Sequence, residues 1–466
     1  MKENRFFKLG FLGLFALMAL HITILSRLIF FPYPEFFIYP YLTNSGLLPY
    51  KQIFDQHFPG LMFFPVNLDN LGMNDATDAR LVLLSIVLFI HLFIFLIARK
   101  FFGSERKALL ANLVYLIWQP FFEGWVLWID SFLPLFLLPA FYFLFRGIKK
   151  ESNEDLALAG LFLGISLVFK QIILPLIGLT SLFLLVKTKS FRKLFWFILG
   201  VLPVPLLMLV YFWSKGILGD FWYWTVTYNL TTFAKYGRKA AFFSGIVRVA
   251  AVFGFALFGA FSKKLKEIYS WLLVFIIGSL PVALARFDLV HFQPALPFVA
   301  LATTVSLDWV WSKNKTKVLA LVYVLGAAFF LSVFFRGHIG ERIFFFDKET
   351  QAVNEKIRKF SSPGEHIFVY GAAPHLYQMS KTLPAGNVFV FQFPWFMMVT
   401  EDKILEGIQK DKPNLVVADR SVVIQEQKLI DFAAKINSYL LQNYETFDKI
   451  GSVEFLKRKS LNENSD

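Results

Sequence analysis

Glu35, Asp55 and His57 stand within residues 32–60, PYPEFFIYPYLTNSGLLPYKQIFDQHFPG, a polar and aromatic stretch between two long apolar runs. A carboxylate held at a reacting centre can take the proton of a hydroxyl. Glu35 is flanked by Phe36, Phe37 and Tyr39, a setting in which partial desolvation raises a carboxyl pKa and strengthens it as a base. The same position equally suits an interfacial acid in an aromatic belt. Asp55 and His57, in DQHFPG, suit a loop-helix cap before a Pro59-Gly60 turn as well as they suit chemistry. Tyr50 in the same stretch is a candidate substrate contact alongside them.

Further along the chain, Asp130 follows Trp125 and Trp128 at the end of an apolar run and is a second carboxylate for an acceptor, or a solvated acid. Lys170 is the sharpest cation: together with Gln171, another candidate substrate contact, it interrupts an otherwise apolar stretch over residues 156–186. A charge in that position costs about 2.5–3.5 kcal/mol on insertion scales, so it faces a cavity or a partner. Arg286 and His291, in RFDLVHFQPALP, could join Lys170 around a phosphate, or snorkel to headgroups. Lys235, Arg238 and Lys239 lie beside Tyr228 and Tyr236 and read as a headgroup-binding rim.

The elements that must position these groups follow from composition. With 466 residues, 56% hydrophobic, 18% aromatic and 17% charged, the chain holds more apolar surface than one soluble core hides, and it reads as a polytopic membrane protein in the lipid bilayer. It contains no cysteine, which excludes disulfides, Cys-type zinc sites and thiol catalysis. The net charge of +14 is topological: residues 341–466 carry 16 basic and 17 acidic side chains, leaving 31 basic against 16 acidic in the apolar part. Nucleic acid is therefore not expected as a partner.

Lys2, Arg5 and Lys8 precede an apolar run over residues 9–31, long enough to be an uncleaved first helix with its N-terminus in the cytoplasm. Further spans are expected near 79–98, 108–122, 127–145, 156–169, 172–186, 194–213, 242–261, 268–285, 294–311 and 318–335, about eleven helices in all. The basic turns at Arg146, Lys187, Lys263 and Lys313 then share the N-terminal side, while Glu35, Asp55, Asp130 and Asp288 face outward. That arrangement needs residues 156–186 to be two short helices, expected to sit inside the bundle and line a cavity. The apolar part is one unit, 1–340, with a first outer loop over 32–78. Residues 341–466 read as a small extracytoplasmic α/β domain, with a helix at DKETQAVNEKIRKF, strands at HIFVY, VFVF and NLVVAD, and helices at KILEGIQK and EQKLIDFAAKINSYL.

GxGxxG, Walker A, HExxH and GxSxG patterns are missing, which argues against nucleotide-driven transport, zinc proteolysis and common serine hydrolases. Nothing in the sequence indicates a cofactor; a divalent cation is compatible with the acids but not called for, and no metal ligand set is assigned.

The order of an acid after the first helix, GLLPYKQIFDQHFPG, the Lys-Gln pair of AGLFLGISLVFKQ, VHFQPALPF and HIFVYGAAPHLYQMSKTLPA resembles the polytopic GT-C glycosyltransferases related to the protein O-mannosyltransferase and aminoarabinose transferase group. That resemblance implies an inverting, nucleotide-independent transferase in the cytoplasmic membrane. Such an enzyme moves a sugar from a polyprenyl-phosphate-linked donor to an extracytoplasmic acceptor, here an unknown one. It assigns Glu35 as base with Asp130 in reserve, and Lys170, Arg286 and His291 to the phosphate. The family usually carries Asp-Glu after the first helix, whereas this chain has Pro34-Glu35. A flippase or exporter of lipid-linked sugars would want the same basic cavity and broken helices. An inactive scaffold is the remaining alternative, favoured if Glu35 points into lipid.

Overall fold

The computed structural model describes residues 2–459, with the side chains of residues 2–9, 282 and 284 left out. Lys2, Arg5 and Lys8, on which the expected orientation begins, thus lie outside the described side chains. Each of the eleven expected spans falls on helix. Among the described residues seven helical segments are long and apolar enough to cross a membrane, from Gly10–Arg27 to Asn314–His338. The remaining four, Glu105–Trp118, Asn153–Phe169, Lys266–Ser279 and Leu296–Trp311, are shorter and run with the long ones in one bundle. The chain is a multi-pass helical membrane protein.

Local chemistry sets the ends of these helices. Ala76–Phe102 begins with a reciprocal capping box in which Asp75 accepts the N–H groups of Thr77 and Asp78, and it stops at Gly103, φ 64°. Asn153–Phe169 is drawn tightly onto Phe191–Val201 by small residues. A Cβ at Gly160 would collide with the Phe197 carbonyl, and one at Gly164 with that of Val201. Lys170 is extended at φ −153°, which ends the helix and starts a short 3-10 turn, so residues 156–186 do form two helices. Only the first lies inside the bundle: Leu174, Leu182 and Val186 on the second are about 60% exposed and face outward. The expected cavity-lining role of the pair is therefore corrected: the second helix faces outward, and no residue of either lines the cavity at the bundle end. The second helix is apolar on the side it presents away from the protein, as a lipid-facing helix must be.

The pairs Lys107–Asp308, Lys149–Glu267 and Lys193–Glu151 join turns that the charge pattern places on one side, and they do share one end of the bundle. At the other end, the first connecting segment is bound on both flanks. Phe31–Pro32 pairs in parallel with Val126–Leu127, and Ile53–Phe54 pairs in parallel with Phe389–Val390.

That second pairing corrects the reading of VFVF as part of a separate domain's own sheet. The C-terminal sheet runs in the order Tyr444–Ile450, Val453–Arg458, Leu415–Ala418, His366–Tyr370, Leu383–Pro384, with a parallel centre aligning Val369 with Val417. Its antiparallel hairpin, turning at Gly451 (φ 56°), goes beyond the expected strands. Helices Lys348–Phe360, Pro394–Asp411 and Ala434–Asn443 complete this unit. It is fastened to the rest by Tyr41 O–H to the Thr382 carbonyl at 3.0 Å and Tyr228 O–H to the Trp395 carbonyl at 2.8 Å.

Candidate functional site

A cavity of about 530 Å³ opens where the first connecting segment, the bundle end and the C-terminal unit meet. Glu35, His57, Trp128, Arg286, Asp288 and His291 line it from one side, and Val369, Gly371, Phe391, Phe393 and Trp395 from the other.

Glu35 occupies the first turn of the Glu35–Asn44 helix, behind Pro34 with φ −58°. The proline supplies a backbone angle suited to the helix start, which fixes the carboxyl at the cavity wall. Glu35 is 7% exposed, and its Oε2 has no hydrogen-bond partner among the described residues. Burial pushes its carboxyl up to about 8, helped by the nearby Asp55 charge and opposed by a backbone N–H. Tyr33 beside it is raised for the same first reason, burial, and then by Glu35 itself.

Asp55 and His57 form a dyad. Asp55 Oδ1 accepts the His57 backbone N–H at 2.6 Å and faces the ring Nδ1 at 2.8 Å, while Oδ2 accepts Tyr39 O–H at 2.7 Å. Asp55 is buried behind the ring; His57 reaches the cavity with its ring edge-on to Trp128, centroids 5.3 Å apart. Tyr50, expected as a substrate contact, is fully buried instead. It takes φ 63° and donates its hydroxyl to the His57 carbonyl at 2.8 Å, among Phe63, Phe212 and Phe221. Gln171 is likewise a clamp, donating to the Gln56 carbonyl at 2.8 Å and accepting the Phe58 N–H at 3.2 Å.

Asp130 and Lys170 meet each other rather than the cavity. Lys170 Nζ lies 2.5 Å from Asp130 Oδ2, and His291 Nδ1 lies 2.9 Å from the same oxygen. Asp130 is fully buried and both partners lie on its Oδ2, while Oδ1 has no hydrogen-bond partner among the described residues. Lys170 acts at one remove, since it neutralises the carboxylate that orients His291. Arg286 does reach the cavity: its Nε donates to Asp288 at 2.8 Å, its Nη1 to the Gly237 carbonyl at 3.3 Å, and the guanidinium lies 5.4 Å from the Trp395 ring centroid. Burial would raise Asp288, but Lys239 and Arg286 hold it below its ordinary value. Lys235 sits over the Tyr236 ring at 5.0 Å, away from the cavity lining. Among the described residues no group of three or more His, Asp or Glu side chains has a metal-holding arrangement.

The arrangement therefore joins a raised carboxyl with one unpartnered oxygen, two imidazoles anchored through Nδ1 to buried carboxylates, and one guanidinium. It can accept a proton and face an anion in the same enclosed space. Of the residues singled out in the sequence, the cavity brings together Glu35, His57, Arg286 and His291, and leaves Asp130 and Lys170 outside its lining. Sequence reasoning missed Trp128, Asp288 as an arginine partner, and the whole wall contributed by Phe391, Phe393 and Trp395. The density of rings in FQFPWF was the available signal for that wall.

Residues 67–213 match a family model described as dolichyl-phosphate-mannose-protein mannosyltransferase. Among solved structures, the fold is similar to ArnT from Cupriavidus metallidurans bound to undecaprenyl phosphate. The two superimpose with a TM-score of 0.62 at 13% identity, over 98% of this chain and 99% of that one. The apo state of the same protein gives a TM-score of 0.62 at 12% identity, covering 98% of each chain. No curated protein sequence matches. The architecture expected from the sequence, a helical membrane bundle with a small α/β C-terminal unit, is the one observed.

Proposed function

We propose that this protein is an integral membrane glycosyltransferase that takes a sugar from a polyprenyl-phosphate carrier and gives it to an acceptor hydroxyl. The observation that carries this reading is Glu35: a buried carboxyl with one unpartnered oxygen, on the wall of a cavity that also presents Arg286 and His291. The likeness to a protein bound to undecaprenyl phosphate supports the choice of carrier.

In the reaction, Glu35 takes the acceptor's proton as its oxygen attacks the anomeric carbon from the face opposite the carrier, which inverts that centre. The bond from that carbon to the phosphate oxygen breaks, and its electron pair leaves with the polyprenyl phosphate. Such a phosphate is a weak base and needs no general acid; it needs positive charge in a water-poor site, which Arg286 provides. Asp130 and Lys170 hold His291 in place from behind. Residues 1–340 supply the reacting groups, and residues 341–466 close the cavity over them.

The site and the C-terminal unit lie on the extracytoplasmic side of the cytoplasmic membrane in this reading, because the basic turns gather at the opposite end. The test is release of undecaprenyl phosphate by purified protein in lipid nanodiscs, from a panel of undecaprenyl-phosphate-linked hexoses and pentoses. Release by wild type and its loss in Glu35→Gln are expected. Movement of the lipid across a vesicle bilayer without bond cleavage contradicts the proposal and points to a carrier.

A further inference from the structure

A second cavity, of about 560 Å³, lies between the Ala76–Phe102 and Pro134–Lys150 helices, toward the end of the bundle that carries the basic turns. Its wall on the first helix is Phe93, Leu96, Ile97 and Lys100, whose spacings of three and four residues put them on one helical face. That stripe rises about 10 Å along the helix axis. It is apolar until its last position, where Lys100 stands beside Arg99 in the final turn. Leu96 is 40% exposed, and Phe89, one heptad earlier on the same face, is 55% exposed. The cavity is therefore a groove that opens sideways, onto the surface that lipid covers.

The groove is built rather than loose. Phe101 packs its ring onto those of Tyr142 and Phe145, with centroids 5.6 and 4.8 Å apart, and so joins the two helices beside it. The cations around its mouth differ in how they are matched. Arg146 lies over the Tyr142 and Phe143 rings that form the facing wall, and it gives Nε and Nη2 to the two oxygens of Asp155. Lys149 pairs with Glu267, and Arg99 faces Glu105 at 3.7 Å. Lys100 has no ion pair among the described residues, and no acidic side chain among them lines the groove.

We infer that this groove binds an anionic glycerophospholipid, with an acyl chain along the Phe93–Ile97 stripe and the headgroup phosphate at Lys100. The stripe and the cation follow one another along a spanning helix in the order in which a phospholipid presents tail and head. A basic recess between spanning helices on the cytoplasmic side attracts anionic headgroups, and the orientation proposed above puts this end there. Free phosphate would leave the stripe uncovered, and a lipid without net charge would leave Lys100 unmatched. The groove shares no residue with the cavity at Glu35, so the inference stands apart from the transferase reading.

The experiment labels the full-length protein, in detergent micelles, with phosphatidylglycerol that carries a photoactivatable group on its acyl chain. Labelled peptides are mapped, and unlabelled phosphatidylglycerol, phosphatidylcholine or undecaprenyl phosphate is added as competitor. Labelling within residues 93–97 and 138–143 is expected. Phosphatidylglycerol should displace the label at about fivefold lower concentration than phosphatidylcholine, the preference that one basic residue near an anionic headgroup supplies. Lys100→Gln should bring these two competitors level. Leu96→Trp, a change at an exposed position, should fill the groove and abolish the labelling, and it serves if Lys100→Gln does not fold. Labelling mapped elsewhere, labelling that persists in Leu96→Trp, or equal displacement by the two glycerophospholipids in wild type overturns the inference. So does a preference that survives Lys100→Gln. Undecaprenyl phosphate displacing the label more readily than phosphatidylglycerol overturns it as well, and gives the groove to the carrier lipid.

Discussion

Two carboxyl groups are buried at the same end of the bundle, and they are opposites. Asp130 is closed off completely and has an ammonium at 2.5 Å and an imidazole at 2.9 Å on one oxygen. Glu35 is almost as buried and has no cation against it, so burial, helped by the nearby Asp55 charge, lifts its carboxyl to about 8. Burial by itself does not make an acid reactive. Paired with a lysine, a buried carboxylate is an anchor; left unpaired beside a cavity, it is a base. By this contrast Glu35 is the proposed base and Asp130 the proposed anchor of Lys170 and His291.

The contrast breaks most visibly at Lys170. Lys170→Met leaves Asp130 ionised in the interior with only His291 beside it, and removing one partner of a buried pair costs about 3–5 kcal/mol. Chemical denaturation in detergent should record that loss, with Asp130→Asn/Lys170→Met recovering most of it. If the single variant is as stable as wild type, Asp130 is not anchored as described.

Glu35→Gln should behave in the opposite way. An acid raised from its ordinary 4.5 to about 8 keeps its proton when folded at pH values where the unfolded chain has lost it. Its burial therefore costs nothing below the ordinary value and progressively destabilises the fold as pH rises to about 8. The amide removes that penalty, so the variant should match wild type in acid and exceed it in alkali by a few kcal/mol, on the order of the free energy of the shift. A melting-temperature series against pH reads this directly. A variant less stable than wild type in alkali would show that Glu35 has a partner after all.

Gln171→Ala is the smaller change. It strands the Phe58 N–H, while the Gln56 carbonyl keeps its second donor, Asn229 at 2.8 Å, at a cost of about 1–3 kcal/mol. The loss should appear first as faster hydrogen exchange at Phe58, before global unfolding.

The two carboxylates also mark what a sequence can carry. Lys170 stood out because a cation between apolar half-helices is costly, and Glu35 because rings surround it. Which of the two acids the lysine meets depends on how a turn between two helices folds onto the Ile129–Phe132 turn, and hydropathy has no term for that. Helix positions were legible for the same reason, since a span is a local property. The far wall of the cavity was not. Its strand Phe389–Val390 has the apolar pattern of any buried strand, and only the fold reveals that its partner is Ile53–Phe54 rather than the neighbouring sheet. Tyr50 was misjudged by position alone: it lies among site residues in the sequence, but its left-handed backbone turns it into the core.

The central claim is that Glu35 acts as the base of sugar transfer from a polyprenyl phosphate. Its most direct measurement is the pH dependence of undecaprenyl phosphate release from an undecaprenyl-phosphate-linked sugar, by wild type and by Glu35→Gln. The account predicts a wild-type rate that climbs with pH and levels off near 8, as the carboxyl ionises, with the variant about 10²–10⁴-fold slower and without that inflection. A Glu35→Gln protein that releases undecaprenyl phosphate at the wild-type rate, with the same inflection, contradicts it.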